Sequence, residues 1–290
     1  MAMRSWLFVP GDSQPKLDKA PTCGADVVIV DLEDAVAPPA KPAARMLAAA
    51  FLRKNGQGAP FQRWVRINPL DTQLWREDLA AVMPARPDGI VVPKAAGPEQ
   101  LQALAGELAG QEPRHGIAPG TTRVLPLVSE TPAAALGITS YLAAPLPRLA
   151  GLTWGAEDLS AAIGAARKRD DRGYWMDAFR FVRAQVLLTA HARGVLAIDT
   201  LRADFRDIEG LRRMAADSYS EGFSGMLAIH PGQVPVINEA FTPGAEEIAR
   251  ARAIVNAFSA NPGAGALSLD GQMIDQPHLE QARKLLHRLQ

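Results

Sequence analysis

The chain has 290 residues, 48% of them hydrophobic, and its 31 Lys and Arg residues balance its 31 Asp and Glu residues. This length suits one domain of about 250 residues with an extension, and the zero net charge argues against nucleic acid or an anionic membrane as the main partner. The single cysteine, Cys23, excludes an intrachain disulfide and a metal site built from several cysteines. Since no signal peptide and no apolar run of about 18 residues is evident, we expect a cytoplasmic protein.

Eight short apolar runs, taken in chain order, are the main structural signal. They are rich in Val, Ile and Leu and lack polar alternation, which is typical of strands buried on both faces. The segments between them are long enough for a helix each, so the sequence predicts a (β/α)8 TIM barrel over residues 1–231. The runs begin at Ser5, Asp26, Arg63, Gly89, Arg123, Leu149, Val195 and Gly225.

Helical patterns fill most of the connections between these runs. The predicted helices cover residues 41–53, 78–83, 97–110, 131–142, 173–193, 207–221 and 243–260. A Pro/Gly/Ala linker follows at 261–266, and a short polar–apolar segment and a last helix complete 267–290. Residues 232–290 lie outside the eight units, and we expect a C-terminal helical extension that acts as a lid over the barrel mouth or as an arm onto a neighbouring subunit.

Charged side chains follow the runs at the strand ends where a barrel places its active site. These residues are Glu33, Arg66, Lys94, Glu130, Asp158, Asp199 and His230. Charge at so many strand ends predicts a polar pocket that binds anions and a metal ion. His230, which precedes a proline, is more typical of a structural residue.

Glu130 and Asp158 follow adjacent runs, and their oxygens are the hard ligands that Mg²⁺ prefers. The alternative is that Glu130 caps the helix that begins at Thr131 and that Asp158 is an ordinary loop residue. No cluster of His and Cys is available, so a zinc site is not expected.

Arg66 ends the third run, where an arginine can hold a carboxylate or a polarised carbonyl with two hydrogen bonds. The alternative is a buried ion pair with Asp31 or Glu33. Together with Asp34 these two acids form a dense acidic strand end that can orient Arg66 or metal-bound water. Lys94 either neutralises an anion or pairs with this acidic strand end.

Lys41 and Arg45 are four residues apart on a predicted helix. They suit a phosphate-bearing ligand, although two such charges are more often a solvated helical face.

Seven motifs occur in one order along the chain: RSWLFVPGD, VVIVDLEDAV, VRIN, GIVVPK, VSET, WGAEDL and GFSGMLAIHP. Together they resemble the citrate lyase beta-subunit-like family of the HpcH/HpaI aldolase superfamily, close to the malyl-CoA and citramalyl-CoA lyases. The resemblance spans about Arg4 to Asp275. It implies a (β/α)8 barrel, a Mg²⁺ ion and the reversible cleavage of a 3-hydroxy-acyl thioester into an acetyl thioester and a 2-oxo acid.

Matching positions in the family imply the roles of individual residues. Glu130 and Asp158 resemble the metal ligands, and Arg66 resembles the substrate-binding arginine. Lys41 and Arg45 resemble part of the site for the thioester carrier. We also expect Lys94 to contribute to substrate binding and Glu33 to the catalytic group around Arg66.

The segment LDGQMIDQP, residues 269–277, resembles the lid motif of the free CoA-thioester lyases. The resemblance implies a homotrimer or hexamer in which Asp275 reaches a neighbouring active site, and we assign protonation of the enolate to Asp275. One departure concerns GFSGM, where Met226 replaces the family's usual lysine, so a ligand contact or an ion pair is missing.

We therefore predict a Mg²⁺-dependent carbon–carbon lyase acting on a malyl-, citramalyl- or citryl-type CoA thioester. One alternative is a metal-dependent 2-oxo-acid aldolase that needs no CoA. Others are a citrate lyase beta subunit acting on an acyl-carrier protein and a subunit that has lost catalysis and only binds such a carrier.

Overall fold

The computed structural model describes residues 3–56, 58–287 and 289, and the chain divides into two compact units. The larger unit extends from Met3 to Glu239, and the smaller one begins at Ala240. The predicted boundary after Pro231 therefore falls inside the larger unit. Among the described residues, every helix is too short or too polar to cross a membrane.

The larger unit is a barrel of eight parallel strands, and each predicted run contains one of them. The strands are β1 Ser5–Pro10, β2 Val27–Asp31, β3 Gln62–Arg66, β4 Gly89–Val92, β5 Arg123–Pro126, β6 Gly151–Leu152, β7 Leu196–Asp199 and β8 Gly225–Ala228. Their order is β5-β4-β3-β2-β1-β8-β7-β6, and two parallel bridges, Val124 with Leu149 and Leu127 with Thr153, join β5 to β6. The predicted barrel is confirmed.

Large apolar side chains on alternate strand positions fill the barrel interior. Trp6 and Trp64 meet edge to face there, with ring centroids 5.0 Å apart. Gly89 lies directly beside this pair, and a Cβ atom at Gly89 would stand 2.5 Å from the Trp64 ring. The close approach of backbone and indole therefore requires glycine at the start of β4.

Nine helices connect or follow the strands of this unit among the described residues. They are α1 Gln14–Lys19, α2 Lys41–Lys54, α3 Leu74–Val82, α4 Pro98–Gln111, α5 Pro132–Leu136, α6 Ala156–Ile163, α7 Asp177–Ala192, α8 Ile208–Glu221 and α9 Val234–Ala240. The helix predicted over 131–142 is interrupted at Gly137, after which a 3₁₀ turn covers Ile138–Leu142. The helix predicted from Gly173 begins only at Asp177, because Gly173 has a left-handed φ of 88° and Met176, just before the helix, is extended.

The smaller unit contains a hairpin that the sequence reading missed. Helix α10, Ala245–Ala260, is followed by antiparallel strands β9, Ala266–Leu269, and β10, Gln272–Asp275, and then by helix α11, Gln276–His287. The extension therefore contains the predicted helices, and the short polar–apolar segment before the last helix forms this hairpin. Asp270 and Gly271 form the two-residue turn, with φ values of 50° and 76°, which is the geometry that Asp-Gly favours in hairpins.

This unit has an apolar core of its own. Ile254 and Phe258 of α10 pack with Ile274 of β10 and Leu279 of α11, and all four side chains are buried. The hairpin and both helices are therefore held together by local packing. The lid function expected for this segment stays a prediction.

Candidate functional site

Seven charged residues form one cluster at the carboxyl ends of five successive strands. We call it the mouth cluster; it consists of Asp31, Glu33, Asp34, Arg66, Lys94, Glu130 and Asp158. Parallel strands bring their carboxyl ends to the same face of a barrel, so residues up to 127 positions apart in sequence meet here.

Arg66, the last residue of β3, is fixed by two carboxylates. Its Nε and Nη2 donate to Oδ1 and Oδ2 of Asp31 over 2.7 and 2.5 Å, and its Nη1 lies 3.0 Å from Oε2 of Glu33. Its guanidinium carbon also stands 4.7 Å from the ring centroid of Phe8. Burial opposes the charge, but Asp31 and Glu33 together raise the pKa of Arg66 above its ordinary value. The ion pair considered as an alternative is therefore present, and it gives the guanidinium a rigid orientation.

Lys94 bridges several acids of the mouth cluster. Its Nζ donates to Oε1 of Glu33 and, over 3.0 Å, to Oδ2 of Asp34, and it lies 3.8 Å from Oδ1 of Asp158. Its backbone has a left-handed φ of 49°, which is uncommon for a residue with a side chain. Although burial opposes the ammonium charge, the contacts with Glu33 and Asp34 raise the pKa of Lys94. The predicted pairing with the acidic strand end is present.

Glu33 is the buried centre of these contacts. Its Oε2 has no well-aligned hydrogen bond, despite its 3.0 Å approach to Arg66 Nη1. Burial raises the pKa of Glu33, and the nearby charges of Arg66 and Lys94 only partly offset this effect.

Glu130 is 3% exposed, and its Oε2 accepts a hydrogen bond from the backbone N–H of Lys94. It does not cap α5, because Thr131 does so by accepting from the N–H of Ala134 over 3.2 Å. The capping alternative for Glu130 is therefore wrong. Burial, together with the charge of Asp158, raises the pKa of Glu130 to about 8.

Gly155, just before α6, leaves room for Glu130. A Cβ atom at Gly155 would lie 2.7 Å from Oε1 and 2.8 Å from Cγ of Glu130. The φ of Gly155 is −109°, so space rather than backbone conformation requires glycine at this position.

The mouth cluster fits a divalent cation. Five carboxylates face only two cationic side chains, so the cluster has a formal excess of three negative charges. The described residues contain no group of three or more His, Cys, Asp or Glu side chains arranged to hold a metal by themselves. Mg²⁺ does not need such a group, because it commonly takes one or two carboxylates and completes its octahedron with water and substrate oxygens.

Lys41 and Arg45 are both buried, which neither of the sequence-based interpretations anticipates. Lys41 Nζ donates to three oxygens of the protein, and Arg45 forms salt bridges with Asp78 and Glu77 over 2.7 and 2.6 Å. A solvated helical face is therefore wrong for this pair. Nor do these internal contacts fit the prediction that the two side chains bind the phosphates of a thioester carrier.

Asp199 and His230 have structural contacts. Asp199 is fully buried and accepts hydrogen bonds from Trp154, Arg183 and Ser218. His230 accepts from the N–H of Gly232 through Nδ1, which fits its expected structural role.

Met226 on β8 is fully buried within the barrel. An ammonium group at this position would need a buried partner, so methionine removes both a charge and the requirement to satisfy it.

Asp275 ends β10, and its Oδ1 lies 2.6 Å from Nδ1 of His278 in the first turn of α11. The sequence reading missed His278. An Asp and a His three residues apart at the start of a predicted helix would have been the signal, since i and i+3 side chains are neighbours.

Comparison with known proteins identifies the family. The model of the HpcH/HpaI aldolase/citrate lyase family matches residues 4–231. The chain belongs to this family. It is 37% identical over 283 residues to a citrate lyase subunit beta-like protein of Mycobacterium tuberculosis, covering 98% of this chain and 94% of that protein.

Two other members of the HpcH/HpaI family extend the comparison. A mitochondrial citramalyl-CoA lyase of Rattus norvegicus is 33% identical over 301 residues, covering 98% of this chain and 85% of that enzyme. The crystal structure of protein CitE from Mycobacterium tuberculosis, in complex with magnesium, acetoacetate and coenzyme A, superposes with a TM-score of 0.80 at 36% identity. The superposition covers 99% of this chain and 98% of the CitE chain. The predicted family and its lyase class are confirmed, and the predicted Mg²⁺ cofactor agrees with the magnesium bound by this relative.

Proposed function

We propose that this protein is a Mg²⁺-dependent carbon–carbon lyase that cleaves a 3-hydroxy-acyl-CoA thioester into acetyl-CoA and a 2-oxo acid. The substrate is of malyl, citramalyl or citryl type. The observation that carries the proposal is the excess negative charge of the mouth cluster beside a rigidly held arginine, in a family with a magnesium- and coenzyme A-bound relative. The active form is a homo-oligomer, a trimer or hexamer.

Glu130 and Asp158 hold the metal in this proposal. Both supply hard carboxylate oxygens, and they are close enough for the charge of Asp158 to disfavour ionisation of Glu130. When bound, Mg²⁺ supplies Lewis-acid polarisation of the 2-hydroxy-carboxylate oxygens of the substrate. Burial and the charge of Asp158 raise the pKa of Glu130, and a cation held between the two carboxylates would favour their ionised forms.

Arg66 supports the same substrate oxygens with a fixed positive charge. A guanidinium that is already oriented needs no reorganisation as charge develops on the substrate, which is the basis of electrostatic catalysis. Asp31 and Glu33 supply that orientation, and Lys94 offsets the negative charge of Glu33 and Asp34. Glu33 is thus placed in the catalytic group through its contacts with Arg66 and Lys94.

The electron balance of the reaction requires a proton donor. The hydroxyl gives its proton to a general base and becomes the carbonyl of the 2-oxo acid, while the electrons of the broken C–C bond pass to the α-carbon of the acetyl thioester. A general acid then protonates this carbon. We assign this role to Asp275 of a neighbouring subunit, and the contact of its Oδ1 with Nδ1 of His278 orients the carboxyl group.

The deciding experiment measures turnover of the purified protein with Mg²⁺ on malyl-, citramalyl- and citryl-CoA. Release of both acetyl-CoA and the 2-oxo acid, abolished by a chelator and restored by Mg²⁺, is the expected result. Cleavage only of an acyl-carrier-protein thioester would indicate a citrate lyase beta subunit instead. Cleavage of a free 2-oxo-acid aldol with no thioester would indicate an aldolase, and no turnover on any substrate would overturn the proposal.

A further inference from the structure

Lys41, the first residue of α2, has a buried ammonium group whose hydrogen bonds all go to neutral oxygens. Its Nζ donates to the backbone carbonyl oxygens of Leu32 over 2.8 Å and Glu33 over 3.0 Å. The third bond goes to Oδ1 of Asn68 over 2.7 Å. The residue is 8% exposed. Burying a charge against neutral acceptors costs free energy, so a role in stability alone does not explain why an ammonium group lies here.

The three acceptors belong to the strand ends that carry the mouth cluster. Leu32 and Glu33 directly follow β2, and Asn68 comes two residues after Arg66 at the end of β3. The backbone N–H of Leu32 also donates to the carbonyl oxygen of Arg66 over 2.9 Å. One ammonium group therefore ties together the two backbone segments that present Glu33 and Arg66.

Asn68 is itself held in one orientation. Its Nδ2 donates to the carbonyl oxygen of Leu32 over 3.0 Å and to Oδ2 of Asp78 over 2.7 Å, which leaves its Oδ1 for Lys41. Asp78 is fully buried, and its Oδ1 accepts from Nε of Arg45 over 2.7 Å. The buried network thus extends from α2 and α3 to the mouth cluster, and Lys41 is the member that contacts the backbone of Glu33.

We propose that Lys41 is a positioning residue, which fixes the backbone after β2 so that the Glu33 carboxylate contacts both Arg66 and Lys94. This inference rests on the proposed function of the mouth cluster. Losing the three bonds would let the Glu33 backbone shift, and a displacement of about 1 Å in a catalytic group can cost on the order of a hundredfold in rate. Lys41 touches no reacting atom in this role.

Loss of the Lys41 ammonium removes the bond to Asn68 Oδ1 but leaves a donor at both backbone carbonyl oxygens. Without it, the carbonyl oxygen of Leu32 keeps its bond from Asn68, and that of Glu33 keeps its bond from the N–H of Val36 over 3.1 Å. Lys41→Met retains the aliphatic stem and leaves neither carbonyl without a donor. Arg45→Met is the matched control, because it removes a buried cation from the same network, four residues along the same helix, without a direct contact to Leu32 or Glu33.

The first measurement separates kcat from KM. Lys41→Met should lower kcat at least about tenfold while the KM for the CoA thioester changes by less than about twofold, because the carrier itself is not contacted. Arg45→Met should lower the melting temperature but keep kcat within about threefold of the unchanged protein. A raised KM with unchanged kcat in Lys41→Met would assign Lys41 to carrier binding and overturn the proposal. An equal loss of kcat in both variants would overturn it as well.

The second measurement does not depend on turnover. Amide hydrogen exchange of the segment that contains Glu33, Ala35 and Val36 should be faster in Lys41→Met than in the unchanged protein or in Arg45→Met. Unchanged exchange in Lys41→Met would overturn the positioning role even if activity fell. If the unchanged protein cleaves no thioester, the proposed function fails, and the exchange comparison still decides whether Lys41 fixes this backbone.

Discussion

The mouth cluster and the buried pair of Glu112 and Arg148 are two ion-pair groups of the same barrel with opposite charge balance. Arg148 Nη1 and Nη2 donate to Oε1 and Oε2 of Glu112 over 2.5 and 2.7 Å. Glu112 also accepts from the N–H groups of Gly120 and Thr122 over 2.8 and 3.1 Å. One cation thus balances the charge of one carboxylate, whereas the mouth cluster has five carboxylates and only two cations.

The pKa values of two buried glutamates express this difference. Burial acts against ionisation of Glu112, but the hydrogen bonds from Arg148 and two backbone N–H groups lower its pKa to about 2. Burial and a neighbouring carboxylate raise the pKa of Glu130 to about 8. Burial alone therefore does not set the direction of the pKa shift. The neighbouring groups do, because Arg148 and two N–H groups favour the ionised form of Glu112, whereas Asp158 disfavours the ionised form of Glu130.

The largest effect is expected at Glu130 and Asp158, the proposed metal ligands of the mouth cluster. Glu130→Gln and Asp158→Asn preserve shape but remove the charge that holds Mg²⁺, and each should lower kcat/KM at least about a thousandfold, or roughly 4 kcal/mol. Calorimetric titration with Mg²⁺ should show the matching loss of metal affinity. Full turnover by either variant in the presence of a chelator would contradict the metal assignment.

Breaking the balanced pair should affect stability and not chemistry. Arg148→Met leaves Glu112 buried without its cation and should lower the free energy of unfolding by about 3 kcal/mol, while kcat stays close to that of the unchanged protein. Because the folded-state pKa of Glu112 lies below its ordinary value, the stabilisation is present above about pH 4.5 and is lost as the pH falls toward 2. Denaturant unfolding across that range should therefore show a shallower pH dependence for Arg148→Met. An unchanged pH dependence would contradict this account of Glu112.

A smaller effect is expected from Asp275, which serves as a general acid in the proposed mechanism. Asp275→Ala should lower kcat at least about a hundredfold, or roughly 2.7 kcal/mol, because general acid catalysis contributes about that much. Mixing Asp275→Ala with Glu130→Ala and allowing the subunits to exchange should restore part of the activity if the tail acts in a neighbouring subunit. No recovery after proven exchange would indicate a tail that serves its own barrel. An active Asp275→Ala variant would remove Asp275 from the mechanism.

The smallest effect is expected for Arg66→Lys, which keeps the positive charge but loses the planar guanidinium group. Arg66→Lys cannot reproduce the two parallel hydrogen bonds to Asp31, so kcat/KM should fall more than about tenfold, or roughly 1.4 kcal/mol. Arg63→Lys is the matched control, because Arg63 on the same strand pairs with Asp88 in the same bidentate manner outside the mouth cluster. Equal losses in both variants would show that Arg66 acts only through the stability of the barrel.

The strands could be predicted from sequence because a parallel barrel buries each strand on both faces and thus leaves a continuous apolar run. The hairpin at residues 266–275 could not be predicted in this way, because it lacks such a buried apolar run. Each of its strands has only four residues, and Ile274 is the one buried residue among the eight. The Asp270-Gly271 pair was its one clear local signal.

The mouth cluster was predictable in its membership but not in its contacts. Strand ends reveal which residues share a face, and so Glu33, Arg66 and Glu130 were identified. Lys41 and Arg45 show the limit of local reasoning, because two cations four residues apart give the same pattern whether they face solvent or the interior. Their partners Asn68 and Asp78 lie 27 and 33 residues away in sequence.

The close approach of Glu130 to Gly155 has a consequence for attempts to make this protein more heat-resistant. Replacing glycine by alanine where the backbone is unstrained commonly adds about 0.4–1 kcal/mol of stability, since fewer conformations remain open to the unfolded chain. By its φ of −109°, Gly155 qualifies for such a change. The side chain of Glu130 nevertheless occupies the space that a methyl group at Gly155 would need. A set of variants chosen by dihedral angles alone would therefore include Gly155→Ala, which displaces Glu130. Gly120 is the opposite case, because it has open space around it but its φ of 80° excludes it from that set.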